Sequence, residues 1–199
     1  MKQTSTELGD SRRRDLLEAA FSLIGEKGLE GLRTRDIAAR AGVNISTLHY
    51  YFGTKEALLV ALIHYLREAF KAPQTRRRSA AGDASGGLRS HFADTLHCFR
   101  ANPHLATVLQ ELVLRARRDR AARAALRAII DDWNAKVEDL IRREAAGGAL
   151  RADVDPRAGA AIVTSFIMGA TMQHGVSGKA FDFAGVTREF ERWLAGAAR

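Results

Sequence analysis

The sequence predicts an all-α protein of about nine helices, with a helix-turn-helix domain over residues 1–56 and a second helical domain over residues 57–199. Apolar residues recur three and four positions apart along most of the chain, which is the spacing of one helix face. Strand-like alternation of β-branched and polar residues is scarce, and only 3 prolines occur in 199 residues. Hydrophobic residues make up 46% of the chain, enough to bury a core.

The cysteine content and the length of the apolar runs predict a cytoplasmic protein. Cys98 is the single cysteine, so no internal disulfide can form, and a reducing compartment suits the chain. The N-terminal segment is polar and lacks the apolar stretch of a signal peptide. No run reaches the roughly 18 apolar residues that a membrane helix needs, so we expect no membrane partner.

The net charge is +8, but the basic excess is unevenly distributed. Residues 1–60 hold 9 Lys and Arg against 8 Asp and Glu, whereas residues 61–199 hold 22 against 15. A basic protein favours partners such as nucleic acid. Because most of the excess lies outside the helix-turn-helix, any nucleic-acid assignment must depend on sequence pattern, with charge as weak support.

The first helix is predicted over residues 12–27, with Gly28 as its stop. Three arginines at residues 12–14 would then occupy its N-terminal end, where the helix dipole disfavours cations by a few tenths of a kcal/mol. Phosphates could supply the missing negative charge, and a solvated charge run is an equally weighted alternative. The apolar stripe of this helix comprises Leu16, Leu17, Ala20, Phe21, Leu23 and Ile24.

A short second helix, residues 35–41, and a tight turn follow. Thr34 is expected to cap this helix, since a hydroxyl can accept a hydrogen bond from a free backbone N–H. Gly42 is expected to end it in a left-handed conformation, followed by the apolar turn residue Val43. The residues predicted to face inward are Ile37, Ala38 and Ala41.

A third helix, residues 45–52, completes a helix-turn-helix, with Asn44 as its cap. Leu48 and Phe52 lie four positions apart and are expected to share its buried face. The opposite face holds small, hydroxyl-bearing and aromatic residues where an ordinary surface helix has Lys and Glu. Such a face suits insertion into the DNA major groove. It consists of Ile45, Ser46, Thr47, His49 and Tyr50.

The remaining chain is predicted to contain six more helices. A fourth begins after Gly53-Thr54 and reaches about residue 72, and residues 73–87 are interpreted as a flexible polar linker. Asp119 and the Asp155-Pro156 pair are expected to open the two longest later helices. The later helices are predicted over residues 88–101, 104–117, 120–146, 156–174 and 183–197.

This pattern resembles the TetR/AcrR family of transcription regulators. The order and spacing agree over about thirty residues, and the stretch at residues 148–156 before the eighth helix is also similar to the family. The family commonly has Gly where Ser46 stands and Tyr where His49 stands, so these two departures concern the operator sequence. The matching residues are Gly28-Leu29, Thr34, Ile37-Ala38, Ala41-Gly42-Val43, Thr47-Leu48, Tyr50-Tyr51-Phe52 and Lys55-Glu56-Ala57-Leu58.

The resemblance implies roles for individual residues of a double-stranded DNA interface. Thr34, Tyr50, Tyr51 and Lys55 match positions that contact phosphates, and Asn44 should cap its helix and touch the backbone. For each tyrosine, core packing is the alternative. Arg35 matches a position that can contact either a base or a phosphate. The positions matched to base contacts are Ile45, Ser46, Thr47 and His49.

The resemblance also implies a homodimer and a small-molecule effector pocket in the C-terminal helices. Burial within the same chain is the alternative for all of these apolar residues. The dimer candidates, on the eighth and ninth helices, are Ile162, Phe166, Gly169, Phe190 and Trp193. The effector candidates are Phe92, Thr95, Leu96, Phe99, Leu109, Val113, Trp133, Val137, Phe166 and Met172.

Other classes of protein find less support. The spacing of His91, His97, Cys98 and His104 matches no standard zinc pattern, and we expect neither a metal nor a cofactor. No phosphate-binding loop, nucleophile elbow or paired acid–histidine motif indicates an enzyme. The resemblance to the family implies a ligand-responsive repressor that binds a palindromic operator as a dimer, and this is the function we predict. The alternatives are a helix-turn-helix protein without ligand control and a purely structural helical module.

Overall fold

The computed structural model describes residues 2–81, 87–102 and 104–195. Within these residues the chain forms nine α-helices and one short 3₁₀ helix, Gly178–Ala180, which the sequence analysis did not predict. This confirms the all-α prediction. The α-helices are α1 Lys2–Lys27, α2 Thr34–Arg40, α3 Ile45–Tyr51, α4 Lys55–Ala81, α5 Leu88–Ala101, α6 Leu105–Ala116, α7 Arg120–Ala146, α8 Pro156–Ser177 and α9 Phe183–Ala195.

The helices group into two compact units. The first combines Met1–Ala69 with Asn102–Leu126, so α6 belongs to the same unit as α1, α2 and α3 and packs against α1, although it follows them far along the sequence. The second combines Phe70–Ala101 with Arg127–Arg199 and holds α5, α8, α9 and most of α7. None of the described helices combines the length and apolarity that a bilayer crossing requires.

Local signals in the sequence set the helix-turn-helix. Gly28 and Gly42 have φ of 73° and 66°, a left-handed conformation that glycine adopts without steric cost, and each ends a helix. The backbone N–H of Val43 then bonds to the carbonyl of Ala38 at 3.0 Å, which closes the turn after α2. Asn44 Oδ1 accepts a hydrogen bond from the backbone N–H of Ser46 at 2.7 Å, as predicted for the cap of α3.

Two predictions about helix starts were wrong. Thr34 does not cap α2: it is the first helical residue, and the cap position belongs to Arg33, whose side chain makes no capping bond. The chain enters α2 without a side-chain cap because Arg33 lies in extended backbone, with φ −114° and ψ 136°. Helix α1 begins at Lys2 rather than residue 12. The arginines at 12–14 therefore lie inside the helix, beyond the first turn where the dipole penalty applies.

The predicted linker is also wrong over residues 73–81, because α4 continues through Ala81. Pro73 has no N–H to donate to the preceding turn, which disfavours a helix interior. The Gln, Arg and Ala residues that follow Pro73 are good helix formers, so the chain stays helical after the proline. Residues 82–86, the Gly- and Ser-containing part of the predicted linker, lie outside the described residues.

The second unit has its own apolar core. Carboxylates accept hydrogen bonds from free backbone N–H groups at the starts of two of its helices. Glu144 Oε1 accepts from the N–H of Leu88 at 2.7 Å, and Asp155 accepts from the N–H groups of Arg157 and Ala158. The hydroxyl of Thr164 donates to Asn134 Oδ1 at 2.8 Å and ties α8 to α7. The buried core residues are Leu88, Phe92, Val137, Leu140, Ile141, Leu150, Ala160, Val163, Ile167 and Phe190.

Candidate functional site

Helix α3 presents one buried and one exposed face, as predicted. Leu48 and Phe52 are 2% and 3% exposed and anchor α3 to the first unit. The guanidinium of Arg13 lies 5.4 Å from the centroid of the Phe52 ring, so one of the three clustered arginines covers this anchor from α1. The anchor fixes which residues of α3 point outward.

The predicted base-contacting residues share the outward face. Ser46 and His49 are exposed, Ile45 is exposed despite its apolar side chain, and Thr47 is half-buried. Arg35 projects from the start of α2 and is also exposed, whereas Thr34 beside it is half-buried. Helix α3 contains no Asp, Glu, Lys or Arg, so its outward face is suited to base edges and thymine methyl groups rather than to solvent alone.

The two tyrosines of α3 differ in their surroundings. Tyr50 is 83% exposed, which is unusual for a large aromatic residue and excludes core packing for its side chain. Tyr51 is half-buried, and its hydroxyl group lies beside Gly9 of α1. The hydroxyl oxygen is 3.7 Å from the position at which a side chain on residue 9 would begin. Their rings meet edge-on at 5.2 Å between centroids. Tyr51 thus packs beside α1 while Tyr50 points away from the protein.

The start of α4 adds a cation next to the turn that precedes α2. Lys55 is exposed, and its Nζ lies 3.5 Å from the carbonyl oxygen of Leu32, in the turn before α2. Thr54 Oγ1 accepts from the backbone N–H of Ala57 at 3.1 Å and caps α4. Sequence reasoning missed this cap, although a threonine directly before an apolar helical pattern is a recognisable signal.

Polar bonds hold the three-helix module together. Arg40 of α2 donates two hydrogen bonds to the carboxylate of Glu26 in α1, at 2.5 and 2.9 Å, and this bonding lowers the pKa of Glu26. Glu111 of α6 accepts from the backbone N–H of Leu29 at 3.2 Å. The end of α2 is therefore bound to α1, and the turn between α1 and α2 is bound to α6.

An aromatic cluster occupies the second unit. Phe70 stacks on Trp133 with 6.3 Å between ring centroids, and Phe99 meets Phe70 edge-on at 6.0 Å. The indole Nε1 of Trp133 donates a hydrogen bond to Nε2 of His91 at 2.8 Å. This bond was not predicted, because nothing in a single sequence pairs two residues on different helices.

Burial strongly affects the titration of this cluster. Burial and, to a smaller extent, the positive charge of Lys136 lower the pKa of His91 to about 4, while the carboxylate of Asp94 opposes the shift. Burial and the Asp94 charge raise the pKa of the Cys98 thiol to about 11. The Nδ1 atom of His91 is buried and has no hydrogen-bond partner among the described residues. A buried anion and a free donor thus lie close to the aromatic rings.

The predicted effector residues are not all in one place. Phe92, Thr95 and Val137 are buried, Phe99, Trp133 and Phe166 are half-buried, and Met172 is 58% exposed, all in the second unit. Leu109 and Val113 are half-buried on α6 in the first unit, and the side chain of Leu96 lies outside the described residues. A cavity of about 270 Å³ in the second unit contains none of these residues. It is lined by Gly87, Leu140, Arg143, Glu144, Gly147 and Ala149.

The predicted dimer residues divide into exposed and covered ones. Ile162 and Trp193 are 56% and 73% exposed. Phe166 and Phe190 stack on each other at 4.0 Å between centroids with an angle of 8°, and Phe190 belongs to the core. Gly169 is half-buried. In the described part of the chain, no group of three or more His, Cys, Asp or Glu side chains is placed to hold a metal ion.

These features define a helical regulator that binds DNA through a helix-turn-helix. A sequence model of the bacterial regulatory proteins of the tetR family matches residues 16–62. A second, the C-terminal region of BetI-type transcriptional repressors, matches residues 84–199. The chain belongs to the TetR family of bacterial transcription regulators and has a BetI-type repressor C-terminal region, which confirms the family predicted from the sequence.

Individual relatives agree with this assignment. The transcriptional regulator BetI of Paraburkholderia phytofirmans is 36% identical over 83 residues, which cover 41% of this chain and 43% of the relative. BetI of Burkholderia mallei is 38% identical over 73 residues, 37% of either chain. These matches span less than half the length of the curated relatives.

Solved structures show the same fold over nearly the whole chain. A TetR-family regulator from Agrobacterium tumefaciens has a TM-score of 0.80 at 21% identity, covering 94% of this chain and 100% of its own. A transcriptional regulator from Saccharomonospora viridis, solved in complex with choline, has a TM-score of 0.77 at 20% identity, covering 94% and 97%. Identities this low establish the fold alone.

Proposed function

We propose that the chain represses transcription as a homodimer that binds a palindromic DNA operator through α3 and is released by a small-molecule effector. The observation that carries the proposal is the exposed, nearly uncharged face of α3 on a rigidly anchored helix-turn-helix. In a dimer, two copies of α3 spaced one helical turn apart would contact two half-sites. The domain prediction, DNA binding in residues 1–56 and effector binding with dimerisation in residues 57–199, belongs to this proposal.

Selection from a genome-derived DNA library tests operator binding. Purified protein is mixed with sheared genomic fragments, and bound fragments are sequenced. An enriched palindromic motif is the expected result. Recovery of DNA without a motif would favour an architectural DNA-binding protein, and no recovery at low salt would contradict the function of α3.

The exposed apolar residues of α8 and α9 support dimerisation. Ile162 and Trp193 are large apolar side chains left in solvent on a single chain, which is a common sign of a protein interface. We expect Ile162→Glu to convert a dimer into a monomer in sedimentation velocity. Leu114→Glu is the matched control, because Leu114 is 60% exposed on α6 in the other unit. Equal behaviour of the two variants would contradict this interface.

For the effector, we propose a small cation of the quaternary ammonium class, bound at the aromatic cluster of the second unit. Cations bind favourably over the faces of Trp and Phe rings, and the ring centroid of Phe70 lies 6.3 Å from that of Trp133 and 6.0 Å from that of Phe99. The carboxylate of Asp94, whose charge acts on both His91 and Cys98, would add attraction. The relative from Saccharomonospora viridis supports this choice, since it was solved with choline.

The free Nδ1 of His91 suggests a second contact. Because Nε2 accepts from Trp133, neutral His91 carries its proton on Nδ1, and a buried N–H without an acceptor is costly. An oxygen of the effector could accept from it. The hydroxyl of choline is such an acceptor.

Fluorescence titration separates these contacts. Choline, tetramethylammonium and 3,3-dimethyl-1-butanol (the uncharged isostere of choline) are added to a Trp193→Phe variant, so that Trp133 is the only tryptophan. We expect choline to bind more tightly than tetramethylammonium, which lacks the hydroxyl, and the isostere to bind most weakly. Equal affinity of choline and its isostere would contradict cation recognition.

Effector release has a thermodynamic signature. If the effector and operator favour different states, each must weaken the binding of the other by the same factor. Operator affinity measured with and without choline is compared with choline affinity measured with and without operator. Independent binding would favour the alternative, a helix-turn-helix protein without small-molecule control.

A further inference from the structure

The corner between α6 and α7 carries a group of exposed, unpaired cations. Arg117, Arg118 and Arg120 are all exposed. None of the three side chains forms an ion pair with a described residue, although most other arginines of α7 do. Three such arginines within four positions raise the local positive potential.

The neighbouring arginines serve the structure instead. Arg115 Nε lies 3.3 Å from Asp119 Oδ2, and its Nη2 lies 3.8 Å from Glu56 Oε1. Arg123 donates from Nε to the carbonyl of Ala116 at 2.8 Å and from Nη2 to the carbonyl of Arg117 at 2.6 Å. These bonds hold the backbone of the corner in place. They also distinguish the structural arginines from the three free ones.

Contacts within the first unit bring the corner close to the DNA-binding helices. Glu111, on the last turns of α6, accepts from Leu29 in the turn between α1 and α2. One turn later, Arg115 reaches Glu56, the residue after Lys55 at the start of α4. The end of α6 therefore lies against the elements that support α3.

The charge distribution along the chain favours a role for this corner in binding a polyanion. Residues 1–60 are nearly neutral, with 9 basic and 8 acidic residues, whereas residues 102–126 hold 5 arginines and 2 acids. Arg120 is the first residue of α7, where the helix dipole disfavours a cation. A polyanion beside the corner would compensate that cost and balance the three unpaired charges.

We propose that Arg117, Arg118 and Arg120 form a second phosphate-contacting surface, which binds the DNA backbone beside the groove that α3 enters. This inference rests on the proposed binding of an operator by α3. Contacts to phosphates add affinity without sequence preference, and they supply the charge that the helix-turn-helix itself lacks.

The test compares two charge-removing triple variants. The first replaces Arg117, Arg118 and Arg120 by Gln. The control replaces Arg142, Arg151 and Arg157 by Gln, which removes the same charge from exposed positions of the second unit. Operator affinity is measured across salt concentrations, on the selected operator and on unrelated DNA.

We expect the corner variant to lower the slope of log affinity against log salt by about 2 to 3 per bound chain, since each phosphate contact contributes about 0.9. The loss should be similar for operator and unrelated DNA, and the control should keep the wild-type slope. An unchanged slope in the corner variant, or equal losses in both variants, would overturn the proposed surface.

Two further results keep the outcome clear. If circular dichroism shows that the triple variant is unfolded, the single variants Arg117→Gln and Arg118→Gln are measured instead, each with an expected slope change of about 1. If the unaltered chain binds no DNA, the proposed function itself fails and this surface with it. Wild-type operator binding with no effect of the corner variants overturns only the surface.

Discussion

Trp133 of α7 donates its indole N–H to Nε2 of His91 of α5 at 2.8 Å, across 42 positions of sequence. The imidazole is 4% exposed and must be neutral to accept this bond. A protonated His91 would lose its acceptor and place a positive charge in an apolar core near Lys136. This pair therefore makes the second unit sensitive to pH and to substitution at either residue.

We expect the free energy of unfolding to fall as the pH is lowered from 6.5 to 4. Burial lowers the pKa of His91 in the folded chain to about 4, whereas the unfolded imidazole titrates near 6.5. Between these values the unfolded chain binds a proton that the folded chain excludes, so acid favours unfolding. The full shift corresponds to about 3 kcal/mol. Urea unfolding at several pH values measures it, and a His91→Gln variant should lose this dependence.

A double-variant cycle tests the His91–Trp133 bond. Trp133→Phe should lower the free energy of unfolding by about 1–3 kcal/mol, because it leaves the buried Nε2 of His91 without a donor. His91→Phe likewise leaves the indole N–H unpaired. Since the double variant removes both polar partners, it should be more stable than the sum of the single losses predicts. Simple additivity would mean that the two residues do not interact.

Leu48→Ala and Tyr50→Ala should have opposite consequences although the two residues lie on the same helix. Leu48 is 2% exposed, so its truncation should cost about 2–5 kcal/mol of folding stability. Tyr50 is 83% exposed, so its removal should change stability by less than about 0.5 kcal/mol while weakening operator binding. Thermal unfolding and operator titration measure both. A stable Leu48→Ala variant would refute the anchoring of α3.

Lys55→Ala and His49→Ala should separate phosphate contact from base contact. Lys55→Ala should weaken binding to all DNA and reduce the salt slope by about 1. His49→Ala should instead alter the ranking of operator variants and leave the slope nearly unchanged. Both are measured on the same operator library. A Lys55 variant with the wild-type salt dependence would refute its phosphate role.

Cys98 should resist thiol reagents in the folded protein. The side chain is 1% exposed, and burial raises the pKa of its thiol to about 11, so very little reactive thiolate forms at pH 8. Modification by a disulfide reagent should become fast only in urea. Rapid reaction of the native protein would show that this part of the second unit opens readily.

The helix boundaries show how far local patterns reach. Gly28, Gly42, Asn44 and Asp119 act where the sequence placed them, because each signal operates within a few residues of backbone. Helix α5 likewise matches its predicted bounds. Thr34 failed as a cap because the extended Arg33 before it occupies that position without a side-chain bond.

The effector site was less predictable. Aromatic residues on amphipathic helices look alike in sequence whether they fill a core or line a pocket. Phe190 illustrates the difficulty, since the same residue was expected in a dimer interface and is buried within the chain. The individual DNA, effector and dimer residues remain predictions for the experiments above.

By itself, the sequence determined the class of fold, most of the helix ends, the outward face of α3 and the family of the protein. All of these follow from contacts between residues a few positions apart or from a motif of about thirty residues. Only the tertiary structure decided that α6 joins the DNA-binding unit, that Trp133 bonds to His91, and that Arg117, Arg118 and Arg120 are exposed and form no ion pair with a described residue. Such pairings depend on how helices pack across long sequence separations, which no local periodicity specifies.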